Sequence, residues 1–455
     1  MQDFTLLVAA QREYFFSQAT KPYEFRVKQL RLLQQWIGHN EAAILRALNE
    51  DLGKSPYEGY LTEVCMVKQE LKDALRHLKS WMRPRHAKTA IGQFPGRCRI
   101  YSEPYGVTLI MSPWNYPFQL TIAPLIGAVC AGNCAVIKPS AYSPATSALV
   151  ARMARELFPA EYVAVVQGGR QENAGLLEQA FDFIFFTGSP SVGRLVMEKA
   201  SAHLTPVSLE LGGKSPVIVD ETADIALTAR RLAWGKYLNA GQTCVAPDYV
   251  LVHQSREQQL VEALVAEIRR MYSSAPLASP DLPKIINQRH FERLVGLLGS
   301  GVISHGGQID PSARKIAPTV LTDVTWDSPI MQEEIFGPIL PILTYRKLDE
   351  AICRVQQRPK PLALYLFTRS KQTEEKVLRE VSFGGGCVND TVLHLATSYM
   401  PFGGVGESGM GGYHGKASYD TFSHQKSILK RMSKPDVSLR YAPFEDKMKL
   451  LKKLM

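Results

Sequence analysis

The chain has 455 residues, 45% apolar and 21% charged, and its 53 basic against 43 acidic residues give a net charge of +10. This length suits two or three domains, and the balance excludes a disordered chain, a collagen-like repeat and a disulfide-knit miniprotein. The excess charge is local: residues 68–99 hold nine Lys/Arg against two acids, and residues 426–455 hold nine against three. Such strips read as solvated helix faces or an interface edge, and without interleaved aromatics they do not read as a nucleic-acid groove. Seven cysteines lack CxxC pairs and metal-ligand spacing, and Met1-Gln2-Asp3 lacks the pattern of a signal peptide. A cytoplasmic, reduced and metal-free protein is expected.

In chain order, the first hundred residues have a helical texture. Leu30, Leu33, Ile37, Ile44 and Leu48 recur at helical spacing between about Glu24 and Glu50, with Gly53 as the stop signal. A second helical pattern runs through Leu61–Trp81 to Arg83-Pro84. The longest uncharged stretch, Tyr105 to Ile137, is long enough to span a bilayer. Pro113, Asn115, Pro117, Pro124 and Asn133 interrupt it, so a buried strand–loop–helix is expected rather than an integral membrane segment. From Tyr105 onward, apolar runs at Val107–Ile110, Ala135–Ile137, Val163–Val166 and Phe183–Phe186 alternate with helical segments near 118–131, 144–157, 172–180 and 190–200. Apolar strands without alternation, separated by helices, mark a parallel sheet covered on both faces. Such a sheet binds ligands beyond the carboxyl ends of its strands. A second alternating block begins near Leu209 and continues through Val217–Val219, Tyr249–Val252, Ile339–Leu343 and Ala363–Phe367, with a helix at Leu260–Met271. A domain boundary is therefore placed close to residue 209. Beyond Thr421 the chain turns basic and amphipathic; it reads as a short docked terminal helix, with a membrane-surface helix as the alternative.

Several local patterns bear on chemistry. Cys244 closes Gly241-Gln242-Thr243-Cys244 among small and polar neighbours, whereas a structural cysteine more often sits in an apolar run. A free thiol of pKa about 8.5 is only a few per cent thiolate at neutral pH, so a nucleophilic role requires a partner or a polarising environment. Glu210 lies between Leu209 and Leu211, just before Gly212-Gly213. It is either a desolvated carboxylate suited to general-base work or a side chain turned outward at a strand edge. Phe186-Thr187-Gly188-Ser189-Pro190-Ser191-Val192-Gly193 is a strand entering a glycine turn and a helix, whose free amides favour an anion such as a pyrophosphate. As a bare pattern, GSxxxG is also common in purely structural turns. Asn115, within Pro113-Trp114-Asn115-Tyr116-Pro117, is either a rigid amide donor aimed at an oxyanion or a plain turn residue. Lys138 ends the strand in Ile137-Lys138-Pro139-Ser140 and puts a cation at the same sheet edge.

Taken in order, PWNYP (113–117), IKPS (137–140), FTGSPSVG (186–193), LELGGK (209–214), GQTC (241–244), EEIFGP (333–338) and PFGGVGESGMG (401–411) resemble the aldehyde dehydrogenase superfamily over nearly the whole chain. The short chain, with GYHGK (412–416) and TFSH (421–424), looks like class 3, the branch that includes fatty and aromatic aldehyde dehydrogenases. The resemblance implies an α/β fold. It comprises a Rossmann-like parallel-sheet NAD(P)-binding domain (1–81 and 105–208) and an α/β catalytic domain (209–412). A small dimerisation hairpin (82–104 and 413–430) and a basic tail (431–455) complete it. The implied reaction is NAD(P)-dependent oxidation of an aliphatic or aromatic aldehyde to the acid, through a cysteine thiohemiacetal and a thioester that water hydrolyses.

By the same resemblance Cys244 matches the nucleophile, Glu210 the general base and Asn115 the side-chain oxyanion donor. Lys138 matches the cofactor-ribose lysine, and Gly188, Ser189, Pro190, Ser191, Val192 and Gly193 match the pyrophosphate turn. Glu334 matches the ligand of the nicotinamide ribose, and Phe336 lines the nicotinamide side. Trp114, Tyr116, Trp234 and Phe402 fall near the implied substrate tunnel, or belong to the core. A homodimer is the class expectation. The sequence departs from the family at Ala141, followed by Tyr142, where many members carry a glutamate that binds the adenosine ribose. NADP is therefore expected to be accepted alongside NAD. The rival, an acylating enzyme that passes the thioester to coenzyme A, is disfavoured by Glu210, since a thiol acceptor near its own pKa needs no base.

Overall fold

A computed structural model describes residues 3–434, 436, 438–445 and 447–454; residues 1 and 2 of the expected cofactor domain, and 435, 437, 446 and 455 of the expected tail, lie outside the described residues. Two sheets organise the molecule. The first contains, in chain order, β1 (Val107–Met111), β2 (Cys134–Lys138), β3 (Val163–Val165), β4 (Phe183–Gly188) and β5 (Val207–Leu211). These are parallel in the spatial order β5-β4-β1-β2-β3, and the short strand Gly409–Met410 runs antiparallel along β5. Every residue of β1 and β2 is buried, because helices pack on the sheet and leave no wet face to reward alternation.

Helix Gln119–Ala131, between β1 and β2, is buried along its whole length, as its all-round apolar surface leads one to expect. The uncharged stretch is thus strand, loop, helix and strand. No helix among the described residues is long and apolar enough to cross a membrane. Helices Pro144–Leu157 and Pro190–Ser201 each open on proline, whose missing N–H is no loss in a first helical turn.

The second sheet contains β6 (Pro216–Val219), β7 (Tyr249–His253), β8 (Val302–His305), β9 (Thr319–Thr322), β10 (Ile339–Tyr345), β11 (Ala363–Phe367) and β12 (Gly385–Val388). Its order is β8-β9-β10-β7-β6-β11-β12, parallel except for β8. The expectation that a second block opens near Leu209 is corrected here. Val207–Leu211 is hydrogen-bonded to β4 in the first sheet, and the second sheet starts at Pro216.

The helical run between Glu24 and Glu50 is two helices, Tyr23–His39 and Glu41–Leu52. The break falls at Asn40, whose side-chain amide donates to Trp36 O (3.0 Å) and competes with continuing the helix. Gly53 ends the second helix in a left-handed conformation (φ 70°). The Leu61–Trp81 pattern opens with one π turn, Tyr60–Val64, before helix Cys65–Trp81. Strands Arg85–Ala87, Gly96–Pro104 and Ser423–Arg431 form a separate antiparallel sheet, with Gly96–Pro104 in the middle. A last helix spans Lys447–Leu454.

Candidate active site

Four of the candidate residues lie at the carboxyl ends of neighbouring strands. Lys138 ends β2, Gly188 ends β4, Glu210 is one residue from the end of β5, and Asn115 follows β1. That edge is where a parallel sheet presents its ligands. Cys244 and Glu334 arrive on loops that precede β7 and β10.

The chain approaches Cys244 through three consecutive left-handed residues, Asn239, Ala240 and Gly241, with φ of 52°, 52° and 73°. Glycine adopts this backbone freely, but for asparagine and alanine it is strain that neighbouring contacts must hold. A Cβ on Gly241 would lie 2.2 Å from Gly337 O, so the EEIFGP backbone packs directly on the turn. Asn115 Nδ2 donates to Gln242 O (3.1 Å), and the Tyr116 hydroxyl meets Thr243 Oγ1 at 2.6 Å. Trp114 packs edge-on against Phe336, ring centres 5.3 Å apart. The loops carrying Asn115, Cys244 and Glu334 therefore meet.

Burial pushes the Cys244 thiol up to about 12, and Glu334 and Glu210 oppose the thiolate further. The resting group is a neutral thiol, so a nucleophilic role would require a base. Glu210 is 2% exposed, and neither carboxyl oxygen has a hydrogen-bond partner among the described residues. Burial holds its pKa well above the usual carboxylate range. Of the two readings its sequence allows, the side chain takes the inward one. A Cβ on Gly403 would lie 3.2 Å from Glu210 Oε1, so the PFGG segment approaches the carboxyl with a residue that leaves room. Glu334 is pushed up to about 8, chiefly by burial and then by Asp248. A Cβ on Gly212 would lie 2.2 Å from Glu334 Oε2, which makes LELGG the floor of that carboxylate.

The remaining residues suit a dinucleotide. Lys138 Nζ donates to Pro139 O (2.9 Å) and Gly168 O (2.7 Å), and burial lowers its pKa to about 8. An ammonium has three donors, so one remains for a ribose hydroxyl. Ser189 Oγ accepts from Val192 N (3.5 Å) and lies 3.1 Å from Ser191 Oγ. Ser189, Ser191 and Val192 are exposed while Gly193 is buried. A Cβ on Gly193 would fall 2.6 Å from a Leu211 methyl, so this glycine lets the helix press onto β5. An exposed helix N-terminus at the end of β4 offers partial positive charge to a pyrophosphate. Ala141 and Tyr142 are both exposed beyond Lys138. Of the four aromatics tied to the tunnel, Tyr116 and Phe402 are buried while Trp114 and Trp234 are partly exposed. No cluster of three or more metal-ligating side chains occurs among the described residues.

Sequence reasoning missed the residues that frame the site. Lys214 Nζ pairs with Asp248 and donates to Ile330 O and Glu333 O, both at 2.9 Å. Asp248 accepts from Ile335 N (2.8 Å), and Arg293 donates to Glu333 (2.9 Å) and Ile335 O (2.5 Å). Together they fix EEIFGP to the second sheet. Lys54, Glu58 and Glu63 lie beneath the other two loops; their single sequence signal is charge that turns out to face inward.

Residues 2–428 match the sequence model of the aldehyde dehydrogenase family. The chain belongs to that family. It is 48% identical to the 4,4'-diaponeurosporen-aldehyde dehydrogenase of Staphylococcus aureus, over 97% of this chain and 96% of that one. It is 49% identical to human aldehyde dehydrogenase family 3 member B1, over 95% and 93%. The fold is similar to the substrate-bound state of Staphylococcus aureus AldH, with TM-score 0.98 and 47% identity over 100% and 99% of the two chains. It is also similar to a Mycobacterium tuberculosis aldehyde dehydrogenase complexed with NAD+, with TM-score 0.86 and 26% identity over 96% and 92%. As an aldehyde dehydrogenase, the protein is a nicotinamide-dependent oxidoreductase that converts an aldehyde to the carboxylic acid.

Proposed function

We propose that Cys244, Glu210 and Asn115 carry the reaction on an apolar or aromatic aldehyde, with both NAD and NADP accepted. Cys244 Sγ bonds to the carbonyl carbon while the thiol proton passes to Glu210. The oxyanion is held by Asn115 Nδ2, one of whose two hydrogens remains after the bond to Gln242, and by the Cys244 backbone N–H. The bound nicotinamide supplies the hydride acceptor. Once the first proton has left for solvent, Glu210 takes a second from the water that attacks the Cys244 thioester. Breaking the C–S bond releases the acid, and the proton returns to sulfur. Lys138, the turn 188–193, Glu334 and Phe336 would hold the dinucleotide.

The observation that carries this reading is Glu210: a buried carboxyl at the sheet's carboxyl edge, with no hydrogen-bond partner among the described residues. Trp114, with Phe336 on one side and His290 at 5.4 Å, supports an apolar substrate, as does a relative named for diaponeurosporen-aldehyde. We also propose a cofactor part (1–81 with 105–208, carried on through β5 to 211), a catalytic part from there to 412, and a dimerisation part (82–104 with 413–430) of a cytoplasmic homodimer. Cys244→Ser should be inactive. Glu210→Gln should lose about 10²–10⁴ in steady turnover. Hydroxylamine, which needs no base, should partly restore that turnover and yield hydroxamate. Wild-type release of free acid by Glu210→Gln would remove Glu210 from the mechanism; substantial turnover by Cys244→Ser would remove the nucleophile.

A further inference from the structure

We infer that Lys54, Glu58 and Glu63 form a buried ionic clamp that positions Asn115 and the turn leading into Cys244; the inference rests on the roles proposed for those two residues. Lys54 Nζ lies 2.5 Å from Glu63 Oε1, and both side chains are wholly shielded from solvent. Such a pair is a poor source of stability, because desolvating two charges offsets most of their attraction. Its partners point to another use. Lys54 Nζ also donates to Asn115 O (3.0 Å) and lies 3.9 Å from the centre of the Tyr116 ring. The second Glu63 oxygen accepts from Phe118 N (2.8 Å) and Gln119 N (3.1 Å), backbone donors at the start of helix Gln119–Ala131. Opposite charges thus grip the PWNYP loop at Asn115 and again just past Pro117.

Glu58 extends the grip to the other loop. It accepts from Asn239 N (2.7 Å), the first residue of the left-handed turn. Asn239 Nδ2 in turn donates to Asn115 O (2.8 Å) and Gln242 O (3.1 Å). The Asn115 carbonyl is therefore shared by Lys54 and Asn239, and the Gln242 carbonyl by Asn239 and the Asn115 amide. These contacts go to the backbones that carry the oxyanion donor and the nucleophile. The three side chains touch no reacting atom, so they are positioning residues.

A double-mutant cycle tests this. Lys54→Met keeps the apolar stem and deletes the charge; kcat should fall about tenfold to a hundredfold, as for a misplaced catalytic group. Cofactor affinity, titrated by fluorescence, should stay within about twofold, and in an Asn115→Ala background the same change should lower kcat by less than about threefold. Fully additive losses, or unchanged kcat in Lys54→Met, would overturn the clamp. Wild-type turnover in Asn115→Ala alone would overturn the oxyanion reading instead, and is visible without the double variant. Should Lys54→Met fail to fold, Glu58→Leu and Glu58→Gln replace it. Glutamine keeps an acceptor for Asn239 N–H, so only leucine should lose kcat, and equal kcat in the two variants sinks the proposal.

Discussion

At the scale of single residues, the site opposes the ionisation on which the proposed chemistry depends. Burial, and then the carboxylates of Glu334 and Glu210, keep Cys244 protonated, and burial raises the proton affinity of Glu210 itself. As the base we propose, an ionised carboxyl of raised pKa accepts the proton of so weak an acid more readily than a solvated one would. The acceptance of NADP that we propose also turns on a single residue, Ala141. A carboxylate at position 141 would accept from a ribose 2′-hydroxyl and repel a 2′-phosphate, by about 1 kcal/mol at 4 Å in water and about 4 kcal/mol at an effective dielectric of 20. Alanine removes both effects and leaves Lys138 as the nearby cation. Ala141→Glu should raise the NAD-over-NADP ratio of kcat/KM by at least about tenfold, equivalent to 1.4 kcal/mol. An unchanged ratio, or a wild-type enzyme blind to NADP, would assign cofactor choice elsewhere, with Tyr142 the first alternative. These residues stood out as candidates because their motifs are local. The inward turn of Glu210 was not, since Leu-Glu-Leu reads equally well with the acid facing out.

At the scale of elements, the clamp makes a pH prediction. Glu58, on the short helix Pro56–Gly59, is raised from 4.5 to about 7, first by burial, against the pull of Lys54 and the Asn239 N–H; Glu63 and Asp281 push it up further. The folded chain then holds this proton more tightly than the unfolded chain. That contribution is complete below pH 4.5 and is lost as pH rises toward about 7. Wild type should lose about 2–3 kcal/mol relative to Glu58→Gln across this window, measured by denaturant titration at each pH. Parallel stability curves would show that Glu58 ionises in the fold as freely as in the unfolded chain. Strands and helices of the first sheet were readable because burial on both sides writes itself as unbroken apolar runs. The break at Asn40 was not, because Leu33, Ile37 and Ile44 keep their spacing across it. The partner of Val207–Leu211 was not readable either, since a strand's own residues do not name its neighbour. Strand β12 is only half-buried throughout and so left no apolar run to find.

At the scale of the whole molecule, part of the first basic strip becomes the middle of a small sheet, and the nine-residue strand Ser423–Arg431 becomes one of its edges. An open edge with exposed apolar side chains is a template for another chain. Ile428 and Leu429 are each 42% exposed on it, beside Lys426, Lys430 and Arg431. Pairing two copies along this edge would continue the sheet and shield part of each apolar side chain, one on either face, so the edge offers a contact for the homodimer we propose. Because these side chains are already more than half covered, about 1 kcal/mol each is a fair measure of their further burial. A twofold interface contains four of them, about 4 kcal/mol, or roughly a thousandfold in Kd. Light scattering should therefore give a mass near twice 50.7 kDa for the wild type. Replacing Ile428 and Leu429 together with aspartate should give a monomer of unchanged circular dichroism at the same concentration. A wild-type monomer or tetramer, or a double variant that remains fully dimeric, would place the contact on another surface.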